Sequence, residues 1–155
     1  MKLNSFEEVK RLTQEMVAIP SINKEPKGET AVAQNIYDYY MGLDYFKEHP
    51  ERVKMFQTKN DFVERHSTYA YVKGTKGDSG RTVILIGHLD TVGVDDFGTI
   101  REYAFKCEEL PEKLKETFKL SDEVLADIES GEYMFGRGAL DMKSGVAGHM
   151  YLIKY

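Results

Sequence analysis

Cysteine is nearly missing from this chain. Cys107 is the only one, so neither an internal disulfide nor a zinc cage of thiolates can form. Long apolar runs are missing too. The most membrane-like stretch, Val83-Ile84-Leu85-Ile86, falls far short of the ~20 residues that a spanning helix needs. The N-terminus, Met1-Lys2-Leu3-Asn4-Ser5-Phe6-Glu7-Glu8, carries acid where a secretion signal needs an apolar centre. Positive charge is in the minority, with 21 Lys and Arg against 26 Asp and Glu, a net charge of -5 and a pI near 5.4. A protein that grips a nucleic-acid backbone carries a basic face instead. No repeat or low-complexity segment occurs. These shortages predict a cytoplasmic protein of a reducing compartment, with no membrane and no nucleic acid among its partners.

What is present is a globular composition. Apolar residues make up 41%, and 10 Tyr, 8 Phe and 7 Met are available to fill an interior. At 155 residues and 17.8 kDa the chain matches one ordinary domain on the usual scale of about 100–200 residues. A folded unit of that size hides about 68–70% of the surface its unfolded chain exposes.

The periodicity predicts helices and strands in alternation. Ser5 and Glu8 stand as a capping box, followed by Phe6, Val9, Leu12, Met16 and Val17 on one helical face. Ile19 precedes Pro20 and leaves helical space, so this helix should end near Ala18. A second amphipathic helix is expected over 29–40, with Val32, Ile36 and Tyr39 on one side. Residues 42–66 mix aromatics with charges and give no clear period, although Pro50 can open a short helix. Alternation predicts a strand over 68–73, and the doubly apolar run 82–87 predicts an interior strand covered on both sides. The turn-rich connection 74–80 between them implies an antiparallel pair within a mixed sheet. Between Cys107 and Glu132 nine acids face three lysines, with Pro111 and Ser121 as helix starts and Gly131 as a stop, which reads as two solvated helices. A last helix is expected over 145–155. The fold class is therefore α/β, a mixed central sheet flanked by helices.

Two segments carry chemistry. In Ile84-Leu85-Ile86-Gly87-His88-Leu89-Asp90-Thr91, His88 and Asp90 are two apart past an apolar strand, so an extended backbone points both to one side. Strand carboxyl ends are where open α/β sheets gather ligands. Imidazole is a good zinc ligand and a neighbouring carboxylate can fix its tautomer; the pair can equally be one that only hydrogen-bonds a loop. The second segment is Phe135-Gly136-Arg137-Gly138-Ala139-Leu140-Asp141-Met142-Lys143-Ser144-Gly145. It starts like a dinucleotide fingerprint, but Asp141 stands where the third glycine belongs, and a carboxylate there repels a pyrophosphate. What remains is a glycine-lined carboxylate at a loop-to-helix junction, either a cation ligand or a helix N-cap.

Together the two segments resemble the co-catalytic zinc exopeptidase and deacylase family, which includes aminoacylases, acetylornithine deacetylase, succinyl-diaminopimelate desuccinylase and tripeptidase. The opening helix followed by Val17-Ala18-Ile19-Pro20-Ser21-Ile22 is similar to that family's N-terminus, and the long acidic stretch before Asp141 is most like its arginine-utilisation RocB branch. The resemblance implies zinc-dependent hydrolysis of peptide or N-acyl amide bonds, with two zinc ions, a small peptide or N-acyl amino acid as substrate, and a homodimeric parent. It implies His88 as a ligand to one zinc and Asp141 as the carboxylate bridging both. It implies Asp90 as the catalytic acid that supports the site beside the histidine. A bridging carboxylate holds two cations close, where they lower a water's pKa and polarise an amide carbonyl.

The family's general base lies in a Glu-Glu pair downstream of the bridging aspartate. Here 14 residues follow Asp141 and none is a Glu. The later ligands and the lid or dimerisation domain are likewise beyond these residues, and the last helix reaches Tyr155 without a closing Gly or Asn. The expectation is that residues 1–155 form the N-terminal portion of a metallopeptidase catalytic domain, inactive alone. The alternative is a non-catalytic folded piece or binding module with at most one weak metal site.

The remaining candidates read as structural. His149 is expected to pack in the last helix, His49 and His66 to lie at the surface, and Asp95 and Asp96 to form a polar loop tip. Arg137 is expected to pair with a local acid, Lys143 and Ser144 to shape a turn, and Cys107 to be unreactive.

Overall fold

Asn4 begins the first helix. Its Oδ1 accepts the Glu7 N–H at 2.9 Å, and α1 runs from there over Ser5–Val17 in a computed structural model that describes residues 4–77 and 80–154. The expected Ser5–Glu8 box does not form. Asn is as good an N-cap as Ser, and the Glu8 carboxylate is buried, accepting from Lys154 Nζ at 2.7 and 2.8 Å. A carboxylate committed to that long-range pair cannot fold back onto its own helix end. The exit is as expected, with Ala18 as C-cap ahead of Ile19-Pro20.

Helix α2 (Gly28–Met41) lies where the 29–40 period places it and buries Val32, Ala33, Ile36 and Tyr40. The ambiguous stretch after it resolves into α3 (Asp44–Glu48), a 3-10 turn over Pro50–Arg52 and strand β1 (Val53–Gln57). Strand β2 (His66–Ala70) returns antiparallel to β1 in a register from Val53↔Ala70 to Gln57↔His66. A 3-10 stretch (Asp95–Tyr103) follows, then α4 (Leu110–Thr117), α5 (Asp122–Ser130) and α6 (Ser144–Lys154). Pro111 sits in the first turn of α4, Ser121 Oγ caps α5, and Gly131 ends it at φ +67°. The acidic stretch is solvated as expected, and no α5 residue is buried.

Helices and strands mix as an α/β chain should. Leu12 and Met16 of α1, Val32 and Ile36 of α2, Phe46 of α3, and Val146 and Met150 of α6 form one core cluster. Tyr40 and Phe46 meet edge to face there, with centroids 5.4 Å apart. No helix among the described residues is long and apolar enough to cross a membrane.

Strand pairing departs from the expectation. The predicted strand 68–73 is β2, shifted toward the N-terminus, and its partner is β1 rather than 82–87. Residues 82–87 belong to no ladder among the described residues, and Val83, Ile84, Leu85 and Ile86 are 85, 74, 41 and 79% exposed. Asp78 and Ser79 of the connecting turn, and Tyr155 of the last helix, lie outside the described residues. The hydrophobic run made 82–87 look like an interior strand, but β2 pairs with the sequence-local β1. A run of exposed apolar backbone is a template for association. In sedimentation velocity over a dilution series the chain is expected to self-associate, and Ile84→Lys with Ile86→Lys to return it toward monomer. A wild type that stays monomeric at every concentration would contradict this.

Candidate functional site

His88 and Asp141 are brought together by two close approaches. Residues 87–91 run beside the start of α6, where a Cβ on Gly87 would lie 2.7 Å from Val146 Cγ2, so only glycine lets the segments touch. Residues 136–143 turn back along the other side. Gly138 is left-handed, Lys143 N–H donates to Gly138 O at 3.0 Å, and Arg137 N–H donates to Ala104 O at 2.7 Å. Asp141 has φ −120° and ψ 97°, is not a helix N-cap, and stands three residues before α6.

The result is a direct contact across 53 residues of sequence: His88 Nε2 lies 2.8 Å from Asp141 Oδ1. Asp90 occupies the other edge of the ring, with Oδ1 and its backbone O each 3.2 Å from His88 Nδ1. The same-side placement expected from the H-x-D spacing is thus present. The Asp141 carboxylate raises the His88 pKa above its ordinary value, the Asp90 backbone oxygen and charge add to this, and slight burial opposes it. The Asp141 side chain is 84% exposed, so its oxygens face space that a ligand can reach.

A further layer holds Asp90. Asn23 Nδ2 donates to Asp90 Oδ2 at 2.9 Å, and Arg65 Nη2 donates to Asn23 Oδ1 at 3.4 Å. Arg65 is itself fixed by Glu29 and Asp61, each at 2.8 Å. These charges push its pKa up, with Glu29 the largest cause. Neither Asn23 nor Arg65 stood out in the sequence, since nothing local ties residue 23 to residue 90.

Lys143 does more than shape a turn. Its side chain is buried and Nζ donates to Met16 O at 2.9 Å and Ile19 O at 2.8 Å, closing the end of α1; burial pulls its pKa down to about 8. Arg137 pairs with Asp96, lowering that carboxyl's pKa, and lies 5.1 Å over the Phe97 ring. Asp95 is exposed. His66 Nδ1 contacts Thr30 Oγ1 at 3.0 Å, His49 lies against the Tyr45 ring, and His149 is half-buried on α6. Cys107 is half-buried, which pushes its thiol pKa up and away from reactivity.

As a metal site the arrangement is a pair of donors. An imidazole nitrogen and a carboxylate oxygen converge, both ordinary zinc ligands. Asp90 cannot join them, because Nδ1 and Nε2 lie on different edges of the ring. Among the described residues no group of three or more His, Cys, Asp and Glu side chains is arranged to hold a metal.

Comparison with known proteins places this geometry in context. No family model and no solved structure matches the chain. It is similar to the uncharacterized protein YqjN of Bacillus subtilis (strain 168), 32% identical over 155 residues, which are 99% of this chain and 27% of that protein. It is also similar to Protein RocB of the same organism, 40% identical over 148 residues, which are 96% of this chain and 26% of that protein. The chain thus spans about a quarter of the length of the curated relatives it matches. Over nearly all of its own length it is homologous to RocB.

Proposed function

We propose that this chain supplies the first metal-ligating corner of a zinc-dependent hydrolase of peptide or N-acyl amide bonds, working in arginine or amino-acid catabolism. The observation that carries the reading is the 2.8 Å approach of His88 Nε2 to Asp141 Oδ1 at an exposed junction of two segments. The similarity to RocB supports it, because the motif resemblance points to the same arginine-utilisation branch. His88 holds an ion through Nε2, Asp141 offers two oxygens able to bridge a pair, and Asp90 orients the ring from Nδ1. When bound, zinc supplies a Lewis acid for the substrate carbonyl and acidifies a water.

A catalytic zinc takes three protein ligands, and two converge here. The isolated chain is therefore expected to bind zinc weakly and to hydrolyse neither dipeptides nor N-acyl amino acids. Zinc titration of the chain, with His88→Ala and Asp141→Ala beside it, checks this. Weak or substoichiometric zinc that disappears in both variants is the expected result. Zinc uptake identical in all three proteins would remove the metal reading. Two tight ions per chain, or turnover abolished by Asp141→Ala, would show a complete site and overturn the claim that the chain alone is inactive.

A further inference from the structure

We propose that residues 82–87 are a self-pairing strand: two copies of this chain meet along it, antiparallel about a two-fold axis at Leu85, in a closed dimer. The proposal is independent of any metal at His88 and Asp141. It gives the association expected from the exposed run a defined partner, direction and register.

The run behaves as a strand without a ladder. Among the described residues no hydrogen bond engages the backbone of 82–87. Its exposure alternates all the same, since Leu85 is about half as exposed as Ile84 and Ile86 on either side. Gly87 lies against Val146 of α6, and Leu89 packs on the core. Every second residue of an extended chain shares a face. Leu85, Gly87 and Leu89 therefore face the body of the chain, and Ile84 and Ile86 face away from it. A groove of about 600 Å³, lined by Thr82 to Leu85 and by Ser67 to Tyr71 of β2, keeps the run off the nearest sheet. One backbone edge thus looks across the groove at the chain's own β2, and the other is open to a second chain.

A second copy fits that open edge. No residue from Thr82 to Gly87 is charged, so pairing the run with itself sets no like charges opposite each other. Opposed residues of an antiparallel pair must lie on the same face, which forbids a register shifted by one. With Leu85 opposite its own copy, Ile84 meets Ile86 of the second copy, Ile86 meets Ile84, and Val83 meets Gly87. All four isoleucines then form cross-strand β-branched pairs. With Ile84 at the axis instead, Ile86 would meet Thr82, a poorer match. The apolar surface that Val83 to Ile86 leave open is in the range of about 300–600 Å² reached by the largest patch on a typical monomer. That is less than the roughly 800 Å² per partner of a standard stable interface, so the dimer forms reversibly and its population follows concentration. A two-fold contact uses the same patch on both copies and stops at two.

The test uses the 155-residue chain. Sedimentation velocity over a dilution series is expected to show monomer passing to dimer and nothing larger. Amide hydrogen exchange reads the pairing itself: protection should rise with concentration at every second amide of 82–87, a pattern that side-chain contact alone does not produce. The register is read by Leu85→Cys and Val83→Cys, each with Cys107→Ser to remove the native cysteine. Directly opposed Cα atoms lie about 4.5–5.5 Å apart, within disulfide reach. Position 83 and its copy are offset by four residues, roughly 14 Å. The Leu85→Cys protein should therefore oxidise to a covalent dimer at least about 10-fold faster than the Val83→Cys protein, with dispersed amide spectra showing that both are folded. A chain that stays monomeric, or grows past the dimer, would overturn the proposal. So would a dimer whose 82–87 amides stay unprotected, or equal cross-linking through the two positions.

Discussion

Gly138→Ala should cost about 2–5 kcal/mol of stability, from two separable causes. Gly138 sits at φ +81° and ψ 2°, a left-handed conformation that costs an L-residue roughly 1–2 kcal/mol. A Cβ there would also press on Thr91 Cγ2, well inside 3.0 Å. Thr91 cannot yield: it is 4% exposed and its backbone is bonded to both Ser21 and Asn23. Forcing a methyl into such a place adds about 1–3 kcal/mol. Gly131→Ala is the control, since Gly131 is also left-handed at φ +67° but a Cβ meets nothing within 4 Å; it should show the conformational cost alone. Thr91→Ser removes the offending methyl, so the double variant Gly138→Ala/Thr91→Ser should recover the steric part, a coupling that a double-mutant cycle in urea reads directly. Equal losses in Gly138→Ala and Gly131→Ala would mean that the 136–143 turn does not close on Thr91. That closure brings Asp141 to His88, so on the proposed zinc reading the affinity should fall along with stability in the Gly138 variant.

Local signals were enough wherever the deciding partner is nearby in sequence. Ser121 and Gly131 bound α5, Pro111 opens α4, and Ile19-Pro20 ends α1, each because a backbone N–H, a missing N–H or a steric clash acts within a few residues. The H-x-D spacing likewise put His88 and Asp90 on one side, which needs only an extended backbone. Failures came where the partner is distant. Glu8 has the spacing of a capping residue, yet Lys154 claims it from the other end of the chain. Residues 82–87 have the composition of a buried strand, but composition reports what a segment gains by burial and not which edge accepts it; β2 is engaged by β1 from a stretch with no visible period. At the site, Asp141 was legible from its glycines as either a cation ligand or a helix N-cap, but its pairing with His88 only through the resemblance. Asn23 and Arg65 were not legible at all, because their role exists only after residues 21–23 are laid beside 89–91. Lys143 misled for a related reason: a long stem lets one residue of a turn reach carbonyls 124 and 127 positions away.

The stability difference between the wild type and Lys143→Met should grow in favour of the wild type by about 3 kcal/mol as pH rises from about 7 to above 10. The side chain is buried and its ammonium titrates near 8 rather than at the ordinary 10.5, because burial penalises the charge. Between those values the unfolded chain holds more protons than the folded one, so the wild type gains stability with pH across the window and is held back below it. The gap corresponds to about 3 kcal/mol at 1.36 kcal/mol for each decade. Methionine fills much the same volume without a charge, and so lacks this pH dependence. It also lacks the donor: Ile19 O, part-buried, would lose the Nζ hydrogen bond at 2.8 Å, and leaving such a carbonyl unmet costs on the order of 1 kcal/mol. At alkaline pH only that loss remains, and Lys143→Met should be plainly destabilised. Near neutral pH the relief of the buried charge offsets the lost hydrogen bonds and the two proteins should lie close together. Tyrosine ionisation, which bends both curves at high pH because burial raises the Tyr40 pKa, cancels in the difference. Paired urea melts across this range measure the quantity directly. A difference that stays constant with pH would mean that the Lys143 amine reaches solvent, and the bonds from Nζ to the end of α1 would then not be what joins the Asp141 turn to the first helix.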